Sequence, residues 1–247
     1  MSKLLYDVGY SVTMSNGQKA TIINRKQNKI DIQFEDGTII KNKNVTNFLN
    51  GKIKNPNDIS VYGVGKIGET NKGNAKIKQT WLNMLERCYS EFYHVSNPCY
   101  VDCKVCDEWL NYSNFVEWYL KNYYEIDGET MQLDKDILVK GNKIYSPETC
   151  VFVPKRINCL VLNRKNDRGK HPIGVYYHKR DKQFIAQVTY NNKNIKTVGR
   201  FYNSEDAFIC YKEAKEKYIK EVADEYKDKI PQKLYEALYN WKIEKDD

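Results

Sequence analysis

The sequence predicts an α+β chain built from small modules, and three features of its residue order carry that prediction. Between Val12 and Ile40 apolar residues alternate in short runs broken by Asn16-Gly17 and Asp36-Gly37, the pattern of strands joined by tight turns. From Ile77 to Tyr123 they recur at steps of three and four, as on amphipathic helices. From Ile173 to Phe201 the alternation returns, and a long helical segment opens at Ser204. A chain of 247 residues, 41% hydrophobic and 13% aromatic, has room for two or three such cores.

In the first stretch, Val12 and Met14, Ala20 and Ile22, then Ile30, Ile32 and Phe34, then Ile39 mark short half-polar strands. Two hairpins follow, because Asn-Gly and Asp-Gly supply the positive φ angles that tight turns need. Residues 1–54 therefore read as a small SH3-like β-barrel. Residues 55–76, rich in Gly and Asn and without lasting periodicity, read as a linker. Gly63-Val64-Gly65-Lys66 has neither the spacing of a phosphate-binding loop nor an apolar strand before it, so that reading is rejected.

A helix is predicted over 77–91, with Ile77, Trp81, Met84, Leu85 and Cys88 on one face. A second is predicted over 113–123, with Ser113 as N-cap. Strands follow over 131–139 and 150–153, then a short helix opened by Pro154. The last module has three strands: one from Ile173, one through Phe184, Ala186, Val188 and Tyr190, and one from Ile195 to Phe201. Glu205 and Asp206 suit the positive end of the helix dipole that follows. A final helix over 230–247 carries Leu234, Leu238 and Trp241.

Charge is concentrated. Residues 164–200 hold ten Lys/Arg against Asp167 and Asp181, an excess equal to the +8 of the whole chain. A local field of that kind points to a polyanion, since each cation placed on a phosphate releases condensed counterions. No apolar run is long enough to cross a bilayer and the first residues lack a secretory pattern, so no membrane partner is expected and the chain reads as cytoplasmic. Seven scattered cysteines, an odd number, suit reduced thiols or a metal better than a disulfide framework. Cys103 and Cys106 have the spacing of half a zinc site, with Cys88, Cys99 and Cys150 as further candidate ligands; the alternative is thiols buried in an aromatic core.

The segment Gly174-Val175-Tyr176, Phe184-Ile185-Ala186-Gln187-Val188, Val198-Gly199-Arg200-Phe201 and Ser204-Glu205-Asp206-Ala207 resembles the AP2 DNA-binding domain, over about residues 170–226. The resemblance implies a sheet with a helix on one face and duplex DNA on the other. It places the DNA-facing positions at Tyr176, His178, Arg180, Lys182, Gln187, Thr189 and Thr197, and Lys182, Lys193 and Lys196 could hold phosphates. Residues 77–163 resemble the HNH-type ββα module of phage and mobile-element homing endonucleases. Trp81-x-x-Met84-Leu85-x-Arg87-Cys88-Tyr89, Val105-Cys106-Asp107-Glu108-Trp109, Leu133-Asp134-Lys135-Asp136 and Tyr145-Ser146-Pro147-Glu148-Thr149-Cys150 carry that likeness.

HNH nucleases use a divalent metal and a histidine base. Where the motif would place that histidine, after Asp134, stands Lys135, protonated near neutral pH and suited to a phosphate rather than to taking a proton. Thr149 likewise replaces an orienting asparagine. Asp134, Asp136 and Asn158 could gather around Mg²⁺; the alternative is that the two aspartates cap turns or pair with Lys135, Lys143 and Arg156. The expectation is a DNA binder of phage or mobile-element type, acting in the host cytoplasm if phage-encoded. Its central module would be degenerate and hold DNA backbone through Lys135, Lys143 and Arg156. The rivals are an active Mg-dependent endonuclease and an inhibitor that binds a host protein.

Overall fold

A computed structural model describes residues 6–162, 170–191, 194–245 and 247. The fold is α+β, and the chain divides into two compact units, residues 1–97 with 107–117 and residues 98–106 with 118–247.

In the first unit β1 (Ser11–Thr13), β2 (Lys19–Lys26), β3 (Lys29–Phe34) and β4 (Ile39–Asn44) form an antiparallel sheet in chain order. Alternation sends Ala20, Ile22, Ile30, Ile32, Phe34 and Ile40 to one core, which Phe48 of α1 (Val45–Leu49) and Ile53 join. The sheet is not the closed barrel that the sequence suggests, because β1 and β4 do not pair with each other. β1 has only three residues, and β4 runs out into the exposed Lys41-Asn42-Lys43-Asn44. Closure needs a continuous ladder between the outer strands, and these two offer neither the length nor a second apolar face.

The segment expected as a linker is ordered against the helices of this unit. Lys66 donates its backbone N–H to Leu110 O at 2.9 Å and accepts from Tyr112 N at 2.9 Å. Asn74 caps α2 (Ala75–Tyr89), which buries the predicted Ile77, Trp81, Met84, Leu85 and Cys88; α3 (Glu91–Ser96) follows. A 3₁₀ turn, Asp107–Leu110, leads to α4 (Tyr112–Asn122), where Asn111 rather than Ser113 does the capping by accepting from Ser113 N at 3.0 Å. Trp81 Nε1 donates to Trp109 O at 2.7 Å, and Trp109 meets Phe115 edge to face.

In the second unit β5 (Lys104–Val105) pairs parallel with β7 (Ile144–Tyr145), and β6 (Met131–Asp134) pairs antiparallel with β8 (Val151–Pro154), followed by α5 (Lys155–Val161). The sheet of β9 (Val175–His178), β10 (Gln183–Tyr190) and β11 (Asn194–Phe201) has β10 at its centre. Its inner face packs on α6 (Ser204–Tyr226), and α7 (Gln232–Tyr239) packs on α6. One hydrophobic cluster joins Val151, Val153 and Ile157 to Ala186 and Val188, to Ile219 and Val222, and to Leu234 and Leu238. The expected segments 77–163, 170–226 and 230–247 thus all supply side chains to this single core. Among the described residues no helix is long and apolar enough to cross a membrane.

Candidate nucleic-acid interface

The face of the three-stranded sheet away from α6 follows from strand alternation and register. Ala186 and Val188 belong to the core under α6, so their neighbours Ile185, Gln187 and Thr189 point outward. Register adds Tyr176 and Arg200 beside Ile185, His178 beside Gln183, Thr197 beside Gln187, and Ile195 beside Thr189. Tyr176 is 39% exposed, whereas Ile185, between Tyr176 and Arg200 in register, is 2% exposed. Gln187 Nε2 reaches Thr197 Oγ1 at 3.4 Å, which pre-orients an amide and a hydroxyl on adjacent strands.

β11 carries a bulge. Ala186 pairs with Gly199 but Gln187 pairs with Thr197, so Val198 is the extra residue. Without that slip Thr189 would face Lys196 and Val188 would face Thr197. With it, Thr197 points outward, and Lys196 stands opposite Val188 on the helix side, its ammonium 5.2 Å from the centre of the Tyr190 ring. Lys196 is therefore not part of the outward row, although it remains exposed. Lys193 lies outside the described residues.

The face depends on a close approach behind it. Gly174, at φ 72°, leads into β9, and a Cβ there would stand 2.1 Å from the Tyr211 ring of α6. Only glycine combines that backbone with helix and strand so near.

Among the described residues, the basic side chains of the outward surface lie mostly in the turn that borders it. Arg180 and Lys182, together with Lys179, lie in the exposed β9–β10 turn, at the edge of the face. The strands themselves present Tyr176, Gln187, Thr189, Thr197 and Arg200. Arg200 was not among the expected contacts: its Nη1 donates to Asp181 Oδ2 at 3.0 Å. His178 Nδ1 stands 3.2 Å from the same oxygen, outside hydrogen-bond alignment. A glycine inside a strand pattern, Gly199, was the sequence signal for the bulge that shapes this row.

The three residues proposed for Mg²⁺ have other partners. Asp134 Oδ1 accepts from the backbone N–H of Asp136 at 2.9 Å and of Ile137 at 2.7 Å, which ends β6 early. Burial, then the nearby Asp136 charge, pushes the Asp134 carboxyl up to about 6, against those two N–H groups. Asn158 Nδ2 donates to Gln132 Oε1 at 2.8 Å. Lys135 is 8% exposed, gives Asp136 Oδ2 a 3.1 Å contact and lies 5.9 Å from the ring centres of Tyr100 and Tyr145. Burial works against its ammonium, but Asp136 and other neighbours outweigh it and its pKa is raised. This ammonium stays charged and is buried beside Asp136.

Lys143 donates to Cys99 O at 3.2 Å, and Arg156 is bound within the unit by Glu225 and Asn191. None of the cysteines forms a disulfide. Among the described residues no three His, Cys, Asp or Glu side chains are grouped so as to hold a metal, so Cys88, Cys103, Cys106 and Cys150 do not form the zinc site that the spacing of Cys103 and Cys106 suggested. Burial raises the Cys103 and Cys150 thiols. Cys103 instead donates to Cys99 O.

No family model, no curated protein and no solved structure matches this chain.

Proposed function

We propose that this chain is a duplex DNA-binding protein of phage or mobile-element type, similar to the AP2 and HNH arrangement that its motifs resemble. The observation that carries the reading is a sheet face free of its helix. It presents an arginine, an amide, two hydroxyls and a tyrosine beside a turn of Lys179, Arg180 and Lys182. Amides and guanidinium groups match base-edge donor and acceptor patterns in the major groove, and a basic rim suits phosphates. The ββα segment of β6, β8 and α5 is on this reading a degenerate nuclease module. Asp134 serves as a turn cap and Lys135 as an internal cation paired with Asp136.

The test is selection of bound fragments from a random duplex library at fixed moderate salt, with each pool divided among Mg²⁺, Mn²⁺ and EDTA. Enrichment of one motif without cleavage supports the proposal. Metal-dependent cuts near the motif would replace the degenerate module with an active endonuclease. No enrichment at all would remove the DNA-reading role and favour a protein partner.

A further inference from the structure

Asp181 organises a cation on the outward face that the motif likeness did not assign. It sits in the β9–β10 turn, yet its carboxylate reaches across the sheet to Arg200 on β11, at 3.0 Å, while His178 on β9 stands 3.2 Å from the same oxygen. Register places Arg200 beside Ile185 and Ile185 beside Tyr176, so the guanidinium ends a transverse row of Tyr176, Ile185 and Arg200. Ile185 is buried in the middle of that row, whereas the Arg200 side chain is 54% exposed. Asp181 takes a hydrogen bond from Nη1, and a guanidinium has five N–H donors in a fixed plane. A planar donor held at one nitrogen and, among the described residues, unpartnered at the others suits a pair of acceptors such as the O6 and N7 of guanine.

Resting on the DNA-binding reading above, we infer that Arg200 is a specificity-determining residue for a guanine in the major groove and that Asp181 is its positioning residue. Restraint by Asp181 reduces the rotamer freedom lost on binding. Its negative charge also opposes phosphate, so the pair trades general affinity for selectivity.

The experiment compares the intact chain with Arg200→Lys and Asp181→Asn in the same random-duplex selection, followed by titrations of the selected duplex and a scrambled one across salt. Arg200→Lys keeps the charge but loses the planar fork. It should bind scrambled duplex within about twofold of the parent, keep the salt slope, and lose a guanine preference of about 5- to 100-fold. Asp181→Asn should bind both duplexes more tightly and discriminate less. Thermal melts establish that each variant is folded, and Asp181→Asn, with its opposite effect on affinity, tests the pair if Arg200→Lys does not fold.

A parent that selects a guanine-containing motif, together with variants that keep the same preference, would overturn the Arg200 assignment and leave the DNA-binding reading standing. A parent that selects no motif would overturn both.

Discussion

Arg156, in the first turn of α5, donates through Nη2 to the side-chain oxygen of Asn191, the residue after β10, at 3.2 Å. Its Nη1 holds Glu225 of α6 at 2.6 Å. Tyr218 of α6 donates to the same Asn191 oxygen at 3.0 Å and accepts from Asn191 N at 2.9 Å. The end of the central hairpin strand is thereby fixed to two helices at once. Arg156, which the sequence reading put on DNA backbone, is in this structure bonded to Glu225 and Asn191.

That placement separates Arg156 from the turn cations in a salt titration. Arg156→Ala should lower stability by about 1–2 kcal/mol in urea unfolding, a modest figure because Glu225 is half exposed. It should leave the slope of log affinity against log salt unchanged. Arg180→Ala should change stability little and reduce that slope by about one. A reduced slope in Arg156→Ala would put its guanidinium on phosphate after all.

Tyr218→Phe removes one hydroxyl that serves Asn191 twice. The expected cost is about 1 kcal/mol, with faster amide exchange at Asn191 and unchanged exchange in β2 and β3. Equal acceleration in both places would indicate global destabilisation rather than release of the hairpin.

Asp134 gives a pH dependence of defined sign. Its carboxyl is raised from the usual aspartate range to about 6, first by burial and then by Asp136, so between pH 4 and pH 6 the folded chain holds a proton that the unfolded chain has released. Stability from this group is full below the unfolded value and falls as pH rises through about 6. Asp134→Asn keeps an oxygen for the N–H groups of Asp136 and Ile137. It should flatten that part of the profile and be more stable than the parent at pH 7. Identical profiles would show that Asp134 does not titrate there.

Gly174→Ala should be far costlier than an ordinary turn substitution, at about 2–4 kcal/mol, because the added methyl meets the Tyr211 ring at a left-handed backbone angle. Pairing it with Tyr211→Ala tests the cause. If the clash is the cause, the pair should cost less than the sum of the single changes, whereas strict additivity would assign the cost to backbone strain alone.

Elements written in local residue order were legible. Asn16-Gly17 and Asp36-Gly37 mark two of the three hairpins in the first sheet, and the stripe from Ile77 to Cys88 marks α2. The turn between β2 and β3 was not evident, because Gln27 takes its φ of 54° without the glycine that usually announces it. Ser113 was a reasonable cap by type, but Asn111 stands two residues earlier at the actual helix start. The shared core of the second unit was hidden for a different reason. Val153 and Val222 show only that each has a buried face, and periodicity does not say which buried faces meet. The link from Asp181 to Arg200 was hidden for the same reason, since strand pairing rather than sequence distance joins them.

The bulge at Val198 sets which groups the tip of β11 offers to a ligand. Residues on its two sides are counted in different phase, so the tip turns a neutral hydroxyl outward and keeps the Lys196 ammonium behind, over a tyrosine ring. The same strand paired in regular phase would do the reverse, with no change in composition, length or net charge. What this end of the sheet presents is thus decided by backbone arithmetic, and a catalogue of its side chains would assign it the wrong polarity.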